Sequence, residues 1–159
     1  MIIEYDKQYD EDIKNLLEEL QVYIASIDEE GYNVVTPSYR EKYFIKTMEE
    51  VSKYQGKIYL YQENNNIVGL IIGLINNEEE DTYEFVVPKR GRISELIVSS
   101  TSRSKGTGSK LLIAMEEYLY SVGCEDILLG VFAYNEKAKK FYEKNGYHNR
   151  MIDMTKKID

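Results

Sequence analysis

Only one cysteine, Cys124, and one histidine, His148, occur in the 159 residues. A lone thiol closes no internal disulfide and supports no cysteine cluster for zinc, so no metal is expected and Cys124 reads as a small buried apolar residue. Runs of eighteen apolar residues are absent, and Met1-Ile2-Ile3-Glu4-Tyr5-Asp6 has no basic patch followed by a long apolar stretch. No membrane span or leader is therefore expected, and the chain reads as soluble and cytoplasmic. Positive charge is in deficit: 20 Lys and Arg face 28 Asp and Glu, a formal charge of −8. Phosphate neutralisation requires clustered Lys and Arg, so nucleic acid is an unsuitable partner and a cationic one suits better. Two acidic runs, Asp28-Glu29-Glu30 and Glu78-Glu79-Glu80-Asp81, read as solvated loops or as attractors of such a partner. There is no internal repeat or low-complexity linker, and the length suits one domain over residues 1–159 with a single core.

Hydrophobic spacing organises the rest. Ile2 to Tyr5 reads as a strand, and Ile13, Leu16, Leu17, Leu20, Ile24 and Ile27 follow helical spacing from about Asp10. Thr36-Pro37-Ser38 looks like a helix start with a capping hydroxyl, and Tyr39, Tyr43, Phe44 and Met48 would form that helix's buried stripe before it ends ahead of Gly56. Ile58 to Tyr61 and Ile67 to Leu74 flank Asn64-Asn65-Asn66, a hairpin pattern. Tyr83 to Val87 is a further expected strand, and Arg92 to Val98 is the central one. A helix from Gly108 through Val122 and a short buried strand, Ile127 to Phe132, complete a strand–helix–strand unit. Such a crossover makes its two strands parallel, in an α/β domain whose ligand sits beyond the carboxyl ends of the strands.

The loop Arg103-Ser104-Lys105-Gly106-Thr107-Gly108 lies at such an end, directly before a helix. Two glycines let backbone approach an anion, and the first N–H groups of the helix carry the positive end of its dipole. A Walker loop would need Gly-Lys-Ser/Thr after a glycine and four residues, and the dinucleotide fingerprint would need glycine where Leu111 stands. Neither string is present, so the loop reads as a pyrophosphate cradle of another kind.

Arg-x-x-Gly-x-Gly between strand and helix resembles the acetyl-coenzyme A loop of the GNAT superfamily of N-acetyltransferases. A second segment, Asn135-Glu136-Lys137-Ala138-Lys139-Lys140-Phe141-Tyr142-Glu143-Lys144-Asn145-Gly146-Tyr147, is similar to that family's Asn-x-x-Ala-x-x-Phe-Tyr-x-x-x-Gly-Phe, departing only at Tyr147. The resemblance implies a central mixed β-sheet flanked by helices, with two parallel strands splayed apart to admit acetyl-coenzyme A. It implies that backbone groups of Leu96, Ile97 and Val98 pair with the pantetheine arm, and that Arg103, Ser104, Lys105, Gly106, Thr107, Gly108 and Ser109 receive the pyrophosphate. Asn135 would contact the cofactor, cap the following helix, or do both.

The implied chemistry is attack by a primary amine on the acetyl thioester through a tetrahedral intermediate. An amine of pKa near 10.4 is mostly charged at neutral pH, and freeing it costs about 4 kcal/mol, so a carboxylate base is useful. Glu95 matches an acidic position of many family members, although its side chain could instead point outward or pair with Arg92 or a lysine. A backbone N–H of Ile97 or Val98 is the family-like oxyanion donor. Tyr142 matches the family tyrosine assigned as general acid; it could equally be a helix tyrosine packed beside Phe141 and Ala138. Full proton transfer from a phenol of pKa ~10 to a thiolate of pKa ~8.5 is uphill by about 2 kcal/mol, so hydrogen-bond donation is an alternative. His148, in an expected final strand, matches no catalytic position. Tyr23, Tyr32, Tyr39 and Tyr43 fall in the segment that walls the acceptor site in this superfamily. A small cationic amine, a protein N-terminus, a lysine side chain and an aminoglycoside all remain open as acceptors, in a monomer or homodimer. A non-catalytic acyl-coenzyme A sensor is the rival reading.

Overall fold

A computed structural model describes residues 1–76, 88–103 and 105–158. The expected strand at Tyr83 to Val87, the acidic run Glu78 to Asp81 and Ser104 lie outside the described residues.

Strand β1 (Ile2–Glu4) leads into helix α1 (Asp10–Ile27). Asp10, Glu11 and Asp12 occupy the first turn of α1, where the helix dipole favours negative charge, while Ile13, Leu16 and Leu17 form the buried stripe. Helix α2 (Tyr39–Lys53) starts where the sequence suggests, but not by the expected device. Ser38 stands at the N-cap position without a side-chain capping bond; its carbonyl instead accepts the Lys42 N–H at 3.1 Å, and Tyr39 N–H bonds to the Thr36 carbonyl at 3.0 Å. Tyr43, Phe44 and Met48 are only half-buried against the core, and Thr47 is the buried residue of this helix. Tyr39 is no core residue: it stacks on Tyr43 with ring centroids 4.9 Å apart.

Strands β2 (Lys57–Glu63) and β3 (Asn66–Asn76) form the hairpin, with Asn64 and Asn65 at φ +49° and +65° in the left-handed region that asparagine tolerates. Strand β4 (Arg90–Val98), helix α3 (Thr107–Ser121), strand β5 (Asp126–Leu128) and helix α4 (Glu136–Lys144) follow. Among the described residues the sheet has the order β1-β2-β3-β4-β5, antiparallel as far as β4 and parallel between β4 and β5.

Strand β3 is covered on both faces, which explains its unbroken apolar run. Leu70, Ile72 and Leu74 meet Ile13, Leu16 and Leu17 of α1 together with Ile58, Leu60 and Ile97. Ile71 and Ile75 meet Leu111, Leu112, Met115 and Leu119 of α3 with Ile93 and Cys124, which is buried as expected. Gly73 lies between Ile71 and Ile75 on the α3 face because a Cβ there would come within 2.2 Å of the Met115 sulfur. The absent side chain sets how closely α3 approaches the sheet.

Two expected strands need correction. The strand expected at Ile127 to Phe132 is β5, which stops at Leu128 and is half-buried; Phe132 is exposed and stacks on Tyr134 at 5.1 Å outside the sheet. No strand includes His148, which is exposed, and Met151, Ile152, Met154 and Ile158 beyond it are exposed too. His148-Asn149-Arg150 offers no apolar face with which to cover a sheet.

Candidate active site

The short length of β5 opens the site. It pairs with β4 only at Arg90, Gly91 and Arg92, opposite Asp126, Ile127 and Leu128. Beyond Arg92 one edge of β4 has no strand partner among the described residues, and Leu96, Ile97 and Val98 lie along that stretch. Such an edge offers hydrogen-bonding groups to an extended ligand. The Arg90 guanidinium, bidentate to Asp126 at 2.8 Å, pins the strands together at the closed end.

The Gly loop lies at the open end. Gly106 is the N-cap of α3 with φ +75°, a left-handed conformation that glycine adopts without strain. No side chain caps this helix, and its first internal bond runs from Lys110 N–H to the Gly106 carbonyl at 3.1 Å. The N–H groups of Thr107, Gly108 and Ser109 therefore point out of the helix start without an internal acceptor. A Cβ on Gly108 would sit 3.4 Å from Phe141 of α4 and 3.8 Å from Val98 of β4, so the bare backbone leaves room between those elements.

The basic residues of the loop are engaged by protein partners. The Arg103 Nε–H donates to the Val98 carbonyl at 3.0 Å, and its guanidinium lies 3.9 Å from Glu19 and over the Tyr23 ring. Lys105 pairs with Glu63 at 3.1 Å. Glu19 also accepts the Ser100 N–H at 2.7 Å, which fixes the backbone leading into the loop.

Glu95 reaches the site through a bulge. Ile72 pairs with Glu95 but Gly73 with Ile93, so Ser94 is an extra residue on β4. Arg92 faces α2, where it pairs with Glu50 at 3.6 Å. Regular alternation from Arg92 would carry Glu95 to the α3 face, among Ile71 and Ile93. The extra residue instead returns Glu95 to the face of Ile97, where the Tyr43 hydroxyl donates to its Oε1 at 2.5 Å. Glu95 thus neither points into solvent nor forms an ion pair with Arg92. Burial pushes its pKa up to about 7; the Tyr43 hydrogen bond opposes that rise and the charge of Glu50 adds to it.

Tyr142 packs edge-on to Phe141 at 5.2 Å and to Tyr147 at 5.6 Å. Its hydroxyl has no hydrogen-bond partner among the described residues. Burial first, and the charge of Glu95 second, push its pKa up to about 12. The capping role read for Asn135 is present: its Oδ1 accepts the Ala138 N–H at 3.2 Å, and Tyr23 donates to the same atom at 3.4 Å. Asn135 is buried, at 9% exposure.

The segment between α1 and α2 is tied to the β5–α4 connection. Asp28 accepts the N–H groups of Glu30, Tyr32 and Asn33 at 2.7 to 2.9 Å, and the Asn33 side chain donates to Asp28 and to the Tyr134 hydroxyl. These bonds hold the Asp28 carboxyl well below its usual range, the Asn33 N–H contributing most. Asp28 is therefore a loop organiser, whereas Glu29 and Glu30 remain exposed. Among the described residues no group of three His, Cys, Asp or Glu side chains is placed to hold a metal ion, and no helix is long and apolar enough to cross a membrane.

Sequence reasoning missed Tyr43 as the partner of Glu95 and Ser94 as the residue that turns it. The adjacent polar pair Ser94-Glu95 inside an apolar strand was the available signal, because it breaks period-two alternation.

Comparison with known proteins agrees with this geometry. The profile of the Acetyltransferase (GNAT) family matches residues 20–147. Glucosamine 6-phosphate N-acetyltransferase of Arabidopsis thaliana is 28% identical over 129 residues, covering 81% of this chain and 85% of that one. A mutant of the BH1408 protein of Bacillus halodurans shares the fold at a TM-score of 0.79 and 20% identity, over 99% of both chains. AAC(6')-Iy in complex with the bisubstrate analogue CoA-S-monomethyl-acetylneamine shares it at 0.72 and 14%, over 99% of this chain and 98% of that one. The chain belongs to the GNAT family and is an acyltransferase of the N-acetyltransferase type.

Proposed function

We propose that the protein transfers the acetyl group of acetyl-coenzyme A directly to a primary amine of a small cationic acceptor. The observation that carries this reading is that the Glu95 carboxylate and, through Val98 beside Gly108, the uncapped start of α3 lie along the stretch of β4 that has no β5 partner among the described residues. The residues present fit the donor. The N–H groups of Thr107, Gly108 and Ser109 suit a pyrophosphate, with Gly106 setting the turn and Arg103 and Lys105 alongside. Along Leu96, Ile97 and Val98, where successive residues turn their amides to opposite edges, the free edge suits the pantetheine amides, and Asn135 caps the start of α4. When bound, acetyl-coenzyme A supplies the thioester that the amine attacks.

This chain's own groups would then manage protons and charge. Glu95, with a pKa of about 7, is divided between its two protonation states near neutrality and is suited to accept the amine proton. A backbone N–H of Ile97 or Val98 would stabilise the developing oxyanion. Tyr142 acts as hydrogen-bond donor to the departing sulfur. With its pKa near 12 against ~8.5 for a thiol, full proton transfer would be uphill by about 5 kcal/mol.

A small acceptor is supported by the relatives, one of them named for glucosamine 6-phosphate and another bound to an analogue that carries an acetylneamine. The net charge of −8 favours a cationic acceptor. The test is to measure acetyl-coenzyme A affinity by calorimetry and then thiol release against amino sugars, polyamines, aminoglycosides and peptides bearing N-terminal or lysyl amines. Release with a small amine is expected. Tight binding without release for any amine would leave a non-catalytic binding module, and release with peptides alone would make the acceptor a protein.

A further inference from the structure

We propose that Tyr43 is a positioning residue for the transfer reaction: its hydroxyl pins one oxygen of Glu95 and leaves the other as the atom that accepts the amine proton. This inference rests on the reading of Glu95 as the base. The Tyr43 hydroxyl donates to Oε1 of Glu95, and a bond donated to a carboxylate is stronger than one to the neutral acid. Tyr43 is itself fixed: it stacks on Tyr39 at 14° between ring planes, its body packs against the α1-side core, and Lys46 Nζ lies 5.8 Å from its ring. Oε2 of Glu95 has no hydrogen bond among the described residues.

The groups facing this carboxyl come from three elements. Helix α2 brings Tyr39, Tyr43, Lys46 and Glu50; β4 brings Arg92; and α4 brings Tyr142. Of these only Tyr43 donates a hydrogen bond to Glu95. Glu50 pairs with Arg92 at 3.6 Å and with Lys46 at 4.0 Å; its charge raises the Glu95 pKa, and those two cations oppose it. Desolvation favours the protonated carboxyl, and a bond donated to the carboxylate favours the ionised one. Tyr43 thus keeps a half-buried acid available as a base near neutral pH. The same bond fixes the side-chain torsions, so Oε2 keeps one direction while the acceptor amine approaches.

The test compares wild-type protein with Tyr43→Phe. In protein labelled with carboxyl-¹³C glutamate, the Glu95 resonance is assigned by its loss in Glu95→Gln and titrated without any ligand. Removing the donor should move the Glu95 titration to higher pH by about one unit. The pH profile of kcat/KM, measured with acetyl-coenzyme A and an amine accepted in the panel above, should move with it. The loss of activity should be roughly fivefold greater at pH 7 than at pH 9, where the carboxylate is ionised in both proteins and only the loss of positioning remains. A purely structural defect would lower the rate at every pH. Fluorotyrosine at position 43, a stronger donor of nearly the same shape, should move the titration down instead and keeps the test available if Tyr43→Phe fails to fold. Coincident titrations in folded proteins, with the loss in Glu95→Gln intact, would overturn this inference alone. A Glu95→Gln enzyme with wild-type rates would overturn the base reading, and the role of Tyr43 with it.

Discussion

Tyr142 on α4 feels the charge of Glu95 on β4, and this field adds to burial in holding its hydroxyl at about 12. The two groups are therefore coupled electrostatically. Under the proposed mechanism, a proton passed from the amine to Glu95 would remove the field at Tyr142 and make the phenol a better donor as thiolate charge develops.

Tyr142→Phe should accordingly lower kcat roughly ten- to hundredfold, the value of one hydrogen bond to a charged group, while changing acetyl-coenzyme A affinity little. Steady-state kinetics with calorimetric affinities check this, with single-turnover measurements to establish that chemistry limits the rate. Equal turnover in the folded variant would reduce Tyr142 to a packing residue beside Phe141 and Tyr147.

Glu95 makes a second prediction, about stability. Its pKa in the folded protein, about 7, lies above the ordinary 4.5, so the folded state holds the proton more tightly than the unfolded one. The associated stability is fully present below about pH 4.5 and is lost as pH rises through 7, a change on the order of 3 kcal/mol. Glu95→Gln, which keeps an acceptor for Tyr43, should match wild type in acid and exceed it above pH 7. Urea unfolding across that range would show the gap opening; parallel curves would mean that Glu95 is not buried as an acid. The same substitution should cost about 10² to 10⁴ in kcat/KM at neutral pH.

Much of this site was legible from local pattern. Gly106 and Gly108 before a helix, and Asn135 three residues ahead of Ala138, are short-range signals whose geometry is set by neighbouring residues, and the hairpin at Asn64-Asn65 is another. Contacts between distant elements were not legible. The bond from Tyr43 to Glu95 joins residues 52 positions apart, and it depends on a bulge at Ser94 that flips the strand's facing. The early end of β5 was hidden because Leu129 and Val131 continue an apolar run after the pairing has ceased. The expected final strand at His148 failed because the segment after Gly146-Tyr147 is polar and exposed at His148, Asn149 and Arg150 and offers no face to a sheet.

The cradle makes a third prediction. Gly108→Val places bulk between Val98 and Phe141, where a Cβ alone makes ordinary contact at 3.4 to 3.8 Å and the γ-carbons reach further, so its fold is checked first by circular dichroism. Acetyl-coenzyme A affinity should fall at least tenfold by calorimetry, in line with the ~1–3 kcal/mol of local overpacking. Gly106→Ala differs in kind, because φ +75° strains the substituted backbone by about 1 kcal/mol before any ligand binds. A folded Gly108→Val protein with unchanged affinity would remove the pyrophosphate from this helix start.

The acceptor is tested at the loop that Asp28 organises. Asp28 itself is unsuitable for charge reversal, since its carboxylate already accepts three backbone N–H groups and the Asn33 side chain. Glu29 and Glu30 are exposed on the same loop, which Asn33 ties to Tyr134, the residue before the Asn135 cap of α4. A cationic amine should be concentrated there, and the attraction should fade as salt shortens the screening length to roughly 8 Å near physiological ionic strength. The double change Glu29→Lys with Glu30→Lys should therefore raise KM for the amine several-fold at low salt, leave acetyl-coenzyme A affinity nearly intact, and lose its effect at high salt. If amine kinetics and their salt dependence are the same in the variant, Glu29 and Glu30 are merely solvated and the acceptor is not selected by charge at this loop.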